Sequence, residues 1–293
     1  MSQHLPRLIP FAHAAREGSF SRAAQRLGVS QSAVSQQVAR LEADIGQTLL
    51  IREREGLRLT ATGQELFDLA EPLLTLATAV DERISGLSRL DEGHLSIIAN
   101  SPRPALGAIG RFKALYPGVQ ISFRLWDWTT SMRLVRDRQC DIAFLTEPKG
   151  LGDCIQHEME RVPYMAYLPQ GHPLSEREEI TLSQLAAETV LLPEEGSFTR
   201  RLVSDRLQSL GLSLPKVIST ATFSLMQDAV LHGVGVGIFL DGAAHHSLSL
   251  PHSPIREMPE RYATQLVHAK DKTHLHIIRA FIETAIAPCE ATT

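Results

Sequence analysis

Cysteine is scarce in this chain: three in 293 residues, at Cys140, Cys154 and Cys289. They form no CxxC pair and no even set, which excludes a disulfide framework and a cysteine-based zinc site. Cys140 opens the apolar run "CDIAFL" and reads as a small buried hydrophobe; a reducing cytoplasm is the expected compartment. Long apolar runs are missing as well. No stretch nears the roughly eighteen apolar residues that a membrane-crossing helix needs, and the N-terminus lacks the apolar core of a secretion signal. Motifs that carry catalysis are also missing: there is no GxSxG, Walker or HExxH pattern, so an enzyme is not expected.

Three weaker signals point to no cofactor and no metal. "GVGVG" at 233–237 follows a predicted helix and precedes a predicted strand, the reverse of a dinucleotide-binding loop. Gly233 reads more simply as a helix terminus. His245–His246 and His274-x-His276 lack the carboxylate or cysteine that would complete a metal site.

The net charge of −4 excludes a chain-wide coat of nucleic acid or anionic membrane. Charge is nevertheless uneven. Residues 1–60 hold eight arginines, no lysine and five acids, and a DNA footprint needs only such a local excess. The length calls for more than one core.

Within that basic segment, Leu5, Leu8, Ala12 and Ala15 recur at helical spacing. Ser21 is expected to cap a short helix carrying Ala23, Ala24 and Leu27, with Gly28 ending it. Ser30 caps the next, whose apolar stripe is Val34, Val38, Leu41 and Ile45. The pattern predicts a helix-turn-helix. Gln31, Ser32, Ser35 and Gln36 share the opposite side of the second helix, where glutamine can pair with adenine and serine with base or phosphate. "LLIREREGLRLT" predicts a two-stranded wing whose Arg52, Arg54 and Arg58 can meet the DNA backbone or minor groove.

From Thr62 to Leu87 runs one long helix. Leu66, Ala70, Leu73, Ala77, Val80, Ile84 and Leu87 alternate at spacings of four and three, a heptad seam that suggests dimerisation. Pro72 lies inside it and is expected to kink or weaken one turn.

After "DEGHL" strands and helices alternate. "LSIIANS", "VQISFRLW", "CDIAFL", "AAETVLLP" and "GVGIFL" read as strands, and 105–116, 130–138, 199–210, 223–232 and 274–287 as helices. This predicts an α/β remainder with a parallel sheet covered on both faces, split into two lobes with a cleft between. The final helix is expected to return to the first lobe. Hydroxyls recur at strand-to-helix turns: Ser101, Thr129, Thr130, Ser197, Thr199 and Thr222. In open α/β sheets such turns converge on the ligand crevice, where helix N-termini favour anions. Each hydroxyl is equally readable as a plain helix cap. Their recurrence at successive turns favours a site, Arg200 is a candidate to neutralise an anion, and the expected effector is a small anion bound between the lobes.

The stretches "SFSRAAQRLGVSQSAVSQQVARLE", "LLIRE" and "LRLTATGQEL", with the two-lobed remainder, resemble the LysR-type transcriptional regulators over essentially the whole chain, most specifically over residues 11–66. The resemblance implies a winged helix-turn-helix DNA-binding domain at 1–60 and a linker helix at 61–89 that pairs antiparallel with another subunit. It further implies a periplasmic-binding-protein-like effector domain at 90–293, with lobe I about 90–163 and 266–293 and lobe II about 164–265. By the same resemblance the partners are double-stranded promoter DNA, a small effector, RNA polymerase and further copies of the chain, in a dimer or tetramer. Thr146 matches a position that lines the family's pocket. The chain departs from the pattern at Pro10, which interrupts the first helix, at Ser32, where proline is frequent, and at Leu50, where phenylalanine is usual. None of these removes a DNA-facing group. More narrowly, "CDIAFLTEP", "EEGSFTRRL" and "HLHIIRAFIETA" are similar to the branch associated with aminoethylphosphonate catabolism. There hydroxyls and Arg200 would take the phosphonate, and Asp127, Glu147 or the faces of Trp126 or Trp128 the ammonium. The competing reading is a two-lobed solute-binding protein without a regulatory role; the N-terminal module and the missing secretion signal count against it.

Overall fold

Small residues set the geometry of the N-terminal unit. The computed structural model describes residues 4–53, 56–85, 93–242 and 250–287, with the side chains of 81–85 left out. Arg54, Leu87, His245, His246 and Cys289 lie outside the described residues, as does the side chain of Ile84. Helices α1 (Leu5–Glu17), α2 (Phe20–Leu27) and α3 (Gln31–Ile45) form the helix-turn-helix. Ala12, Ala15, Ala23 and Ala24 are buried between them and allow close approach, while Phe11, Val34, Val38 and Leu41 fill the centre. Gly28 turns α2 into α3 at φ 64°, a left-handed conformation that favours glycine. The cap of α2 is Ser19, whose hydroxyl accepts from Arg22 N–H, not Ser21. Strands β1 (Leu50–Glu53) and β2 (Gly56–Leu59) pair antiparallel as the wing. Pro10 lies inside α1 without ending it.

Helix α4 (Ala61–Ser85) runs 25 residues and continues through Pro72. Its first turns belong to the N-terminal core: Phe67 and Ala70 are buried there and Leu66 packs against it. The exposed apolar stripe is therefore Leu69, Leu73, Leu76 and Val80. The heptad spacing holds, but Ala70 faces the chain's own core, and Leu69 and Leu76 take the outward places.

The remainder follows as β3 (Gly93–Ala99), α5 (Pro102–Leu115), β4 (Val119–Leu125), α6 (Trp128–Arg136), β5 (Ile142–Thr146) and β6 (Cys154–Tyr167). Then come α7 (Leu182–Leu185), β7 (Val190–Pro193), α8 (Phe198–Leu210), β8 (Val217–Thr220), α9 (Phe223–Leu231) and β9 (Val236–Leu240). The chain closes with β10 (His252–Pro254), β11 (Arg261–Ala269) and α10 (His276–Ile286). The sheet order is β4-β3-β5-β11-β6-β9-β7-β8, with β10 on β6. It is mixed, where a parallel sheet was expected. Pairs β3–β4, β3–β5, β7–β8 and β7–β9 are parallel, but β11 runs antiparallel to β5 and β6, and β6 antiparallel to β9. Strands β6 and β11 cross between two separate cores. One core centres on Leu95, Ile97, Phe112, Phe144 and Phe281, and the other on Tyr164, Ile180, Val190, Val236 and Ile238. Helix α10 returns to the first lobe, its Phe281 ring 5.1 Å from that of Phe112.

The helix-turn-helix unit, α4 and the first lobe meet at one ionic cluster. Glu71 of α4 is fully buried. Its carboxylate contacts Arg16 of α1, Lys272 at 3.3 Å and Arg138 at 3.4 Å. Lys272, also fully buried, reaches Asp141 at 2.9 Å, and Arg138 reaches Asp271 at 2.7 Å. Burial disfavours the charged form of both Glu71 and Asp141. Lys272 and Arg16 overcome that penalty and hold both carboxyls below their ordinary range. Arg138 sits at φ 53°, a strained conformation for a non-glycine residue. Burial pushes the Cys140 thiol up to about 12, as expected for a structural cysteine.

Replacing Glu71 with alanine strips Arg16 and Lys272 of their shared partner inside the protein. The expected cost is about 3–5 kcal/mol, read from urea denaturation; a loss below about 1 kcal/mol would mean an ordinary surface ion pair. A pH effect follows from His13 of α1. Burial, then Arg16 and Arg26, lower its pKa from 6.5 to about 4, and its Nδ1 has no hydrogen-bond partner. The folded state thus holds the neutral ring, while the unfolded chain takes up a proton below pH 6.5. Stability is fully present above pH 6.5 and falls as pH drops toward 4, by up to about 3 kcal/mol from this ring. His268 and His157, lowered by burial, act in the same direction. His13→Gln should lose less stability than wild type between about pH 7 and pH 4.5; identical losses would exclude His13 as a source.

Candidate nucleic-acid interface and ligand cleft

The outward face of α3 follows from its inward one. Val34, Val38 and Leu41 are buried, so Gln31, Ser32 and Gln36 are exposed and Ser35 is half-buried on the other side. Ser30 caps α3, its hydroxyl accepting from Ala33 N–H at 3.2 Å. Ser21, freed from capping, donates to Gln31 Oε1 at 3.0 Å, which orients that amide and leaves its N–H groups unspent. Arg40 continues the face at i+4 from Gln36 and is exposed; the helical repeat could have found it. On the wing, Arg52 stacks over the Phe20 ring at 5.2 Å and is exposed. Arg58 is exposed but paired with Glu53, so the two arginines present unequal charge.

Between the lobes lies a cleft of about 430 Å³. It is lined at the ends of β3 (Asn100, Ser101), β4 (Trp126, Asp127), β5 (Thr146), β7 (Glu194, Ser197) and β8 (Thr222). Crevices form at such carboxyl ends because the strand-to-helix turns splay apart there. The structure separates the two readings of the turn hydroxyls. Thr222 is a cap, accepting from Leu225 N–H at 3.2 Å. Ser101 and Ser197 occupy the caps of α5 and α8 without making a side-chain cap bond. Their hydroxyls stay available in the cleft. Thr199 also lines it, paired with the buried Tyr164 hydroxyl at 2.9 Å, and burial raises the pKa of that phenol. Thr146 is buried and held by Asn100, whose Oδ1 accepts from Thr146 N–H at 2.9 Å.

Three expected residues do not line the cleft. Arg200 turns away, donating to Ser219 Oγ at 3.3 Å. Thr130 lies outside the lining, its N–H donating to the capping Asp127. Thr129 bridges the lobes instead: its hydroxyl and its N–H both donate to Gly196 O, at 3.0 and 3.2 Å. Gly196 has φ 92°, and a Cβ there would lie 2.8 Å from Asp127 Oδ1, so only glycine fits this close approach. The guanidinium that does line the cleft is Arg103, in the first turn of α5 and paired with Glu160. Besides that pair the lining holds three carboxylates, Asp127, Glu194 and Asp241.

Comparison with known proteins agrees with this architecture. The family model "Bacterial regulatory helix-turn-helix protein, lysR family" matches residues 5–64, and "LysR substrate binding domain" matches residues 88–289. The HTH-type transcriptional regulator CfxR of Cupriavidus necator is 30% identical over 78% of this chain and 73% of its own length. The HTH-type transcriptional activator CmpR of Synechocystis is 26% identical over 96% of this chain and 94% of its own. Among solved structures, a full-length OxyR variant from Pseudomonas aeruginosa superposes with a TM-score of 0.76 at 19% identity, covering 97% of this chain and 94% of that one. A helix-turn-helix match does not favour a solute-binding protein without a regulatory role, and these relatives are regulators, not enzymes. With its second match alone spanning more than half of its length, the chain belongs to the LysR family of bacterial transcriptional regulators.

Proposed function

We propose that this regulator reads promoter DNA with Gln31, Ser32, Ser35 and Gln36 of α3, while Arg52, Arg54 and Arg58 of the wing hold the backbone. The domain division 1–60, 61–89 and 90–293 belongs to the same reading, as does a cytoplasmic location. The exposed stripe Leu69, Leu73, Leu76 and Val80 supports pairing of α4 with a second copy, since a lone helix leaves those side chains in water. Gln31→Ala should cost about 1–3 kcal/mol at the specific operator and relax base preference there. Arg52→Ala should weaken all sequences alike and reduce the salt slope by about one unit. Fluorescence anisotropy across operator variants checks this, and identical behaviour of the two variants would sink the division of labour.

The effector we infer is a small zwitterion bound between the lobes. The observation that carries this is the contrast within one cleft: two uncommitted hydroxyls at helix starts, Ser101 and Ser197, beside Asp127, Glu194 and Asp241. An acid group is stabilised by the hydroxyls and helix N-termini, with Thr199, Thr222 and Thr146 nearby. A purely anionic ligand would meet Asp127, Glu194 and Asp241 at its other end, of which Asp241 has only His252 at 3.9 Å, and an ammonium there removes that repulsion. 2-Aminoethylphosphonate has both groups, in keeping with the segments that resemble the phosphonate branch. Calorimetry with 2-aminoethylphosphonate, ethylphosphonate and ethanolamine separates the contributions. Ser101→Ala and Ser197→Ala should each weaken the zwitterion by about 1–3 kcal/mol. Ethylphosphonate binding as tightly as the zwitterion would remove the ammonium from the reading.

A further inference from the structure

A second concavity, of about 610 Å³, spans both lobes and shares only Trp128 with the cleft. Four cations converge on it from four separate segments. Lys149 follows β5, Arg161 lies on β6, Arg201 on α8 and Arg261 at the start of β11. Arg161 is spent on Glu158, at 2.6 Å, with Glu147 at 3.9 Å. Glu147 in turn is committed to Ala263 N–H at 2.7 Å. Among the described residues, Lys149, Arg201 and Arg261 have no carboxylate within ion-pair distance. Asp205 is the one uncommitted acid among the described residues of the wall.

Two of these free cations are already fixed in place. Arg261 donates from Nε and Nη2 to Arg161 O, at 3.2 and 2.8 Å, which leaves Nη1 unspent. Arg201 lies 4.3 Å above the Trp128 ring, and Trp128 is itself anchored by its indole N–H donating to Thr146 O at 2.7 Å. Guanidinium groups held this way lose little rotamer entropy when an anion arrives. Their placement around a concavity, and not along a ridge, fits a compact ligand better than a nucleic-acid backbone.

We propose that this concavity is a second ligand site, distinct from the effector cleft, for a small anion carrying two or more negative charges. Lys149, Arg201 and Arg261 hold the anion. Trp128, the wall common to both cavities, stands between this anion and whatever occupies the cleft.

The chain has two tryptophans, so Trp126→Phe leaves Trp128 as the sole one. That full-length protein is titrated with inorganic pyrophosphate and, separately, with citrate, at ionic strength held constant by sodium chloride. Calorimetry on the wild type runs in parallel. The expected result is a saturable change in Trp128 emission, with a Kd at or below about 1 mM for at least one probe. Pyrophosphate alone saturating would identify a phosphate-type site, and citrate alone a polycarboxylate site. Lys149→Gln and Arg261→Gln, both on exposed side chains, should each weaken binding about fivefold to tenfold, while Ser101→Ala and Ser197→Ala leave it unchanged. A linear response, a response matched by sodium chloride, or wild-type binding in both charge variants overturns the proposal. So does loss of binding in the serine variants, which would place the anion in the cleft.

Discussion

Glu71 is the residue on which the arrangement of the whole chain turns. Its carboxylate sits on the linker helix, yet its partners come from α1 of the DNA-side module and from two separate turns of the first lobe. A charge buried this completely is tolerable only when opposite charges and hydrogen bonds surround it. That requirement fixes three bodies at once. An apolar contact tolerates sliding by an ångström or two; a buried carboxylate shared by Arg16 and Lys272 does not. The cluster therefore ties its charge satisfaction to one orientation of the helix-turn-helix against the first lobe.

The two lobes are related differently. Strands β6 and β11 run continuously through both and tie them covalently and by sheet hydrogen bonds. Across the cleft mouth the contact is local: Thr129 on Gly196 O, Trp128 facing Phe198 at 6.1 Å, and Arg201 over Trp128. The first lobe is thus anchored to the DNA-side module by the ionic cluster, while the second is held to the first by the crossing strands and one small latch. The first lobe is also the one that meets α4, through Arg138 and Lys272 on Glu71.

How much of this the sequence showed depends on where the information lies. The helix-turn-helix, the wing and the outward face of α3 were legible because spacing within one short segment determines them. Caps were legible only as a class: Ser19 rather than Ser21 caps α2, a difference of two residues that periodicity does not resolve. The antiparallel β6 and β11 were missed because β6 is half-exposed along most of its length, so "CIQHEMERVPYMAY" carries no continuous apolar run. Arg200 was a reasonable cation by position, but one residue along a helix turns a side chain by about 100°; it faces Ser219, while Arg201 lies on Trp128. The Glu71 cluster joins residues as far apart as 16 and 272, and no local pattern reveals such a set.

Charge in the effector lobes is divided between two neighbouring cavities. They meet at Trp128 but carry opposite balances: carboxylates in the cleft, unpaired cations in the concavity that shares its wall. Had the cations lined the cleft, a simple anion would suffice as its ligand. As it stands, the one guanidinium lining the cleft, Arg103, is paired with Glu160, and the remaining favourable field for an anion comes from helix starts and hydroxyls, which act over the length of a hydrogen bond. Carboxylates act over longer distances in a partly dry cavity. An anion that reached the two serines would still be opposed by Asp127, Glu194 and Asp241 unless it carried its own positive group. Shape alone leaves many small acids able to enter; this mismatch in range between hydrogen bonds and charge is what favours the proposed zwitterion.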